Sequence, residues 1–193
     1  MPGCATGEEA YSIAIALREA NEYRRGTKVV IFGTDIDASA IALARTAHFP
    51  KQPPGLSDER FQRWFVKDGA HYCPIKEIRD QCVFSVHSVI KDPPFSRLDL
   101  ISCRNLLIYL NSDIQRRALD SFHYALRPNG YLFLGPSESV TREAKQFSIV
   151  DRKHRILQRR DVPRRAPELP RSMPRGEPVG STSHQRANWR RRN

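Results

Sequence analysis

Residues 3–37 read GCATGEEAYSIAIALREANEYRRGTKVVIFGTDID, and this stretch decides the fold. Thr6-Gly7-Glu8-Glu9 fits a capping box, with the Thr6 hydroxyl as N-cap acceptor and Glu9 returning to the cap amide. Ala10, Ile13, Ala14, Leu17 and Ala20 recur at helical spacing, and Arg24-Arg25-Gly26 brings the cations and glycine that suit a helix end. Val29 to Thr34 is an apolar run rich in branched residues, a buried strand that delivers Asp35 and Asp37 at its C-terminal end. With a second helix predicted over 38–47, the order loop, helix, strand, helix is the rhythm of a parallel sheet covered by helices.

Further along, the rhythm breaks and then resumes. Pro50, Pro53, Pro54 and Gly55 mark a loop, and Ser57 caps a short predicted helix carrying Phe61, Trp64 and Phe65 at core-packing spacing. Residues 72–86 read as short strands around a turn, so about 49–86 is predicted to be an inserted β-containing subdomain. Leu98 to Cys103 restores the sheet, and a helix over 112–126 stops at Arg127-Pro128-Asn129-Gly130. A strand over 131–135 and a hairpin around Asp151-Arg152-Lys153-His154 follow. The fold class is α/β, with one domain over 1–160 and a tail over 161–193.

Charge sorts along the same boundary. The formal net charge is +11, but from Arg152 onward there are 13 Lys and Arg against 3 Asp and Glu, which leaves 19 against 18 in the rest. The basicity belongs to the tail, whose close-set prolines and lack of apolar residues predict disorder. A basic tail attracts polyanions generally, but the near-neutral body carries no nucleic-acid recognition motif, and no specific nucleic-acid partner is expected. No apolar run approaches the length of a membrane span, and no signal peptide is evident, which points to a cytoplasmic protein. Cys4, Cys73, Cys82 and Cys103 show no disulfide or C-x-x-C spacing, and the six histidines are scattered, so no metal site is predicted.

A glycine-lined turn before a helix, followed by an acidic residue at the end of the next strand, is how α/β proteins hold a ribose-bearing cofactor. Gly3 to Gly7 is such a turn, and Asp35 lies 28 residues beyond Gly7. On spacing alone the pattern is weak: an Asp after a strand is more often a turn or cap residue, and Glu9 reads as a capping-box partner.

Four segments in order carry a more specific resemblance. GCATGEEAYS (3–12), TDID (34–37), CRNLLIY (103–109) and LGPSE (134–138) resemble the signature segments of the CheR family, bacterial methyltransferases that esterify glutamates on chemotaxis receptors. The run DPPFSRLDLIS (92–102) is most similar to the version fused to a methylesterase and sensor modules. The resemblance covers about residues 2–160. It implies a Rossmann-like sheet, S-adenosylmethionine as cofactor and a receptor cytoplasmic domain as protein substrate.

The resemblance also places functional residues. Cofactor contacts fall at Gly3, Thr6, Gly7, Glu9, Asp35, Ser88, Val89, Cys103 and Arg104. Ser88 departs from the family's asparagine, and its shorter side chain weakens or reroutes that contact. Arg104 and Tyr109 match residues implicated near the transfer site, against the plainer readings of a loop salt bridge and a core tyrosine. Asn105 reads as a local cap, and Glu138 as a pocket residue or an arginine partner. By the same analogy the insert docks a receptor tail by strand addition.

Family members carry a helical domain and a first strand ahead of the glycine loop, whereas here Met1 and Pro2 stand where that strand ends. The expectation is a chain lacking both, and a 193-residue polypeptide that is unstable or inactive. The alternative reading is a non-catalytic module that binds S-adenosylhomocysteine or a partner protein.

Overall fold

In the computed structural model, residues 1–22, 27–138 and 145–163 are described. The expected end of the first helix at Arg24–Gly26 and almost all of the tail lie outside them. Helix α1 (Glu8–Glu22) leads to β1 (Ile31–Asp35) and α2 (Ala38–Thr46). The Asp37 side chain caps α2 by accepting from the Ser39 and Ala40 amides, and Ala47 ends it in the left-handed conformation. The insert holds α3 (Asp58–Trp64), β2 (Phe65–Asp68), β3 (His71–Pro74) and α4 (Lys76–Arg79). Ser57 caps α3 as expected, and Trp64 and Phe65 are buried with Phe61 packed against them.

One boundary moves. Cys82–Val86, assigned from sequence to the insert, is β4 and pairs in parallel with β1 from Ile31↔Cys82 to Asp35↔Val86. Its alternating exposure comes from having one covered face, which makes a sheet strand look like a hairpin strand in sequence. Arg45 of α2 donates two hydrogen bonds to the Phe84 carbonyl (3.1 and 2.9 Å), tying helix to strand.

The second half contains β5 (Leu98–Cys103), a 3-10 turn (Leu107–Tyr109), α5 (Ser112–Ala125), β6 (Leu126–Leu134), β7 (Phe147–Asp151) and β8 (Ile156–Arg159). The strand order is β5-β6-β8-β7, with β5 and β6 parallel and the rest antiparallel. The Arg127–Gly130 turn proves to be an irregularity within β6. Leu98 pairs with Leu126 and Leu100 already with Tyr131, while Asn129 takes a φ of 63°.

Each half has its own apolar cluster. One gathers α1, α2, β1, β4 and the insert; the other gathers α5, β5, β6 and β8. Between the facing edges of β1 and β5 lies an apolar groove of about 410 Å³, part of it open to solvent. Met1 and Pro2 occupy one end, where Pro2 makes a parallel bridge with Thr34. Among the described residues no helix is long and apolar enough to cross a membrane.

Candidate functional site

The C-terminal ends of β1 and β5 point to the same side, and the Gly3–Gly7 loop sits across them. Parallel strands leave their carboxyl ends free for loops, which is where α/β sheets bind ligands. The loop requires left-handed backbone at Gly3 (φ 68°), Ala5 (φ 46°) and Gly7 (φ 91°). At Gly7 a side chain would also meet Ala44 Cβ at 3.1 Å and the Phe84 ring at 3.2 Å, so loop and sheet approach closely.

Asp35 holds the loop from the β1 side. Its Oδ2 accepts the Ala5 amide at 2.9 Å and its Oδ1 accepts the Asp37 amide at 3.0 Å. Each oxygen keeps a lone pair for a hydroxyl donor.

The expected capping box does not form. The Tyr11 amide bonds to the Gly7 carbonyl (3.0 Å), so the helix starts on Gly7. The Thr6 hydroxyl donates to the Glu8 carboxylate instead of capping (2.8 and 2.6 Å to its two oxygens). A left-handed Gly7 between Thr6 and the helix turns the threonine away from the amides it was expected to serve. Glu9 is thereby released toward β5. Its Oε1 accepts the Ser102 hydroxyl at 2.7 Å, and its Oε2 lies 3.5 Å from Arg104 Nη1.

Arg104, one residue past β5, lays its guanidinium over the Phe133 ring at 5.1 Å. Its Nε is buried and has no partner among the described residues. A buried, unsatisfied donor beside a carboxylate and a glycine loop is a place left for a polar ligand.

Cys103 and Cys4 are buried beneath the site. Burial raises both thiols, with Cys4 pushed up to about 11, so neither is a thiolate at neutral pH.

The remaining expected residues divide. Ser88 spends its hydroxyl locally, accepting the Ile90 (3.4 Å) and Lys91 (3.2 Å) amides, while its own amide donates to Asp92. Val89 lines the groove between β1 and β5. Tyr109 is 78% exposed, so the core reading of it fails.

Among the described residues Glu138 pairs with no arginine. It is buried and accepts three backbone amides, from Leu106 (2.8 Å), Leu107 (2.8 Å) and Gly135 (2.7 Å). That clamp fixes the turn after Arg104. Asn105 in this turn is left-handed (φ 56°). Sequence reasoning missed Ser102 and Phe133 as supports of Glu9 and Arg104. Their one signal is adjacency, Ser102 preceding Cys103-Arg104 and pairing across β5–β6 with Phe133.

Comparison with known proteins bears on this arrangement. Residues 2–156 match the family model described as CheR methyltransferase, SAM binding domain. The chain is 42% identical over 158 residues to an uncharacterized 104.1 kDa protein of Rhodobacter capsulatus, covering 81% of this chain and 17% of that protein. It is 31% identical over 154 residues to chemotaxis protein methyltransferase 1 of Pseudomonas aeruginosa, covering 76% of this chain and 56% of the relative. Chemotaxis protein methyltransferase 1 of Vibrio cholerae is 32% identical over 157 residues, with 76% and 55% covered. The chain thus spans just over half the length of these two methyltransferases. It belongs to the CheR methyltransferase family, and its α/β body is that family's S-adenosylmethionine-binding domain.

Proposed function

We propose that this domain takes part in transferring a methyl group from S-adenosylmethionine to glutamate side chains on the cytoplasmic domain of a chemotaxis receptor. The observation that carries the reading is that the glycine loop and the start of α1 meet both strand ends, Ala5 bonding Asp35 at the end of β1 and Glu9 pairing with Arg104 just past β5. When bound, S-adenosylmethionine supplies a methyl group activated on a sulfonium, which a carboxylate oxygen attacks in line to give a methyl ester and S-adenosylhomocysteine.

The residues of the chain divide that task. Gly3, Thr6 and Gly7 shape a loop whose backbone approaches the cofactor closely. Asp35 accepts from the ribose hydroxyls with the lone pairs its two backbone contacts leave over. Glu9 attracts the cationic amino-acid end and at the same time orients Arg104. Cys103 forms an apolar floor. Arg104, with a donor unsatisfied, receives the substrate carboxylate and holds it in the planar, two-pronged manner that suits guanidinium. Tyr109, standing exposed beyond the 3-10 turn, contacts the incoming protein segment from the substrate side. Ser88 and Val89 contribute shape rather than a hydrogen bond, since Ser88 is occupied by its own turn.

A second reading is a module that binds S-adenosylhomocysteine or a partner protein without transferring anything. Ser88's committed hydroxyl favours it, since that residue stands where the resemblance places a cofactor contact. Titration calorimetry with S-adenosylhomocysteine, combined with incorporation of labelled methyl into a receptor cytoplasmic fragment, separates the two. Binding together with base-labile incorporation supports transfer. Binding alone selects the module, and absence of both binding and incorporation removes transfer and leaves only the partner-binding form of the module.

A further inference from the structure

Away from the cofactor loop, the insert hairpin brings two of its side chains together with a histidine twenty residues upstream. Ala47 turns the chain out of α2 with a φ of 56°, and His48 follows. Phe49 then locks onto the insert by a reciprocal backbone bridge with Tyr72, at 2.9 and 2.8 Å. Within the insert β2 and β3 pair as Val66↔Cys73 and Asp68↔His71, around a turn with Gly69 at a φ of 59°. Strand alternation places Asp68, His71 and Cys73 on one face of this hairpin. The antiparallel bridge sets His48 opposite Cys73 on the same face.

The donor atoms converge there. His48 Nε2 lies 3.3 Å from Asp68 Oδ2, and Cys73 Sγ lies 4.0 Å from the same oxygen. The three donor atoms all fall within 4.8 Å of one another. Ligand bonds of roughly 2.0 Å for nitrogen and oxygen and 2.3 Å for sulfur, at tetrahedral angles, put donors about 3.3–3.8 Å apart. The cluster therefore needs a contraction of under about 1.5 Å, small for side chains of which two are exposed. The His71 ring stands edge-on to His48 at 5.7 Å between centroids, on the same face of the hairpin as Asp68 and Cys73.

The donor set also selects a cation. One thiolate, one or two imidazoles and one carboxylate form the mixed soft and borderline set that prefers zinc over magnesium or calcium. Cys73 is buried while His48 and Asp68 are exposed, so a cation would enter from solvent and close over the sulfur.

We propose that His48, Asp68 and Cys73 form a binding site for a divalent borderline-soft cation, zinc fitting best, with His71 as the fourth donor. Such an ion staples the inserted hairpin to the end of α2. None of its ligands touches the Gly3–Gly7 loop, so the proposal stands or falls apart from methyl transfer.

The test uses the 193-residue chain, reduced, stripped with chelator and dialysed against zinc sulfate. Stoichiometric zinc retained by elemental analysis is expected. Cobalt substituted for zinc should give a thiolate-to-cobalt charge-transfer band that Cys82→Ser keeps and Cys73→Ser loses. Because Cys73 is buried and its replacement risks the fold, His48→Ala and Asp68→Asn provide the second arm. Both lie on the surface, and each should weaken zinc binding at least about tenfold with unchanged far-ultraviolet circular dichroism. Retention of well under one zinc per chain, or affinity indifferent to both surface variants, overturns the site.

Discussion

The carboxylate of Asp35 accepts the amide of Ala5 at 2.9 Å, across thirty residues of sequence, so the end of β1 holds the glycine loop in place. This contact makes Asp35 both a strut and a ligand candidate, and two substitutions separate the roles. Asp35→Asn keeps an oxygen for Ala5 but gives up the charge. It should lower S-adenosylhomocysteine affinity by roughly one to two orders of magnitude, in line with about 1.5–3 kcal/mol for a hydrogen bond to a charged group. Asp35→Ala removes both and should cost more. Calorimetry in which Asp35→Ala binds like the parent would remove Asp35 from the cofactor site.

Arg104 lends itself to a different separation. Arg104→Lys retains the positive charge near Glu9 and loses the planar fork. If the guanidinium receives the substrate carboxylate, methyl incorporation should fall roughly tenfold or more while S-adenosylhomocysteine affinity changes little. A parallel loss of both would make Arg104 a partner of Glu9 only.

These two residues also mark how far the sequence could be read. The strand ending at Asp35 and the one ending before Arg104 were legible because each is an apolar run with a polar stop. Their shared loop was legible from its glycines. The direction of Glu9 was not, because a capping box and a cross-sheet contact begin with the same residues. Only the left-handed Gly7 decides between them. Glu138 was misread for a related reason, since a buried carboxylate satisfied by backbone amides leaves no partner residue in the sequence to find it by. The His48 cluster was invisible because it depends on a bridge between Phe49 and Tyr72 that no local pattern announces.

Acid should loosen the insert before the rest. Glu19 on α1 accepts from Trp64 Nε1 at 2.9 Å and from Arg60 Nε at 3.2 Å, and pairs with Arg60 Nη2 at 2.8 Å. The Trp64 hydrogen bond first, and Arg60 with it, holds the Glu19 carboxyl below the ordinary value of 4.5. A carboxyl lowered in the folded state adds stability that is complete above its unfolded value. That stability is lost as pH falls through the lower folded one. Trp64 fluorescence should therefore report detachment of α3 as pH drops below about 4.5. In Glu19→Gln this pH-dependent component should be absent. An unchanged acid profile in that variant would show that Glu19 does not couple the insert to α1.

The groove between β1 and β5 leaves apolar surface of the body uncovered. The Met1 amine donates to the Phe32 carbonyl at 2.7 Å, and the Thr34 amide donates to the Met1 carbonyl at 2.9 Å. These are two rungs of a parallel ladder along β1. Beyond them Val30, just ahead of β1, and Phe32 within it remain exposed, as does Leu100 on β5. An open strand edge with apolar neighbours favours acquisition of another strand. An extended Val- and Ile-rich segment fused ahead of Met1 would continue the ladder and cover the groove. It should raise the unfolding midpoint by at least about 3 °C, the shift that roughly 1 kcal/mol produces in a domain of this size. Binding of an apolar fluorescent dye should fall in parallel. A control segment of the same composition interrupted by two prolines cannot complete the ladder and should do neither. Equal stabilisation by both segments would mean that the fusion acts by covering apolar surface generally, and that β1 and β5 do not frame a strand site.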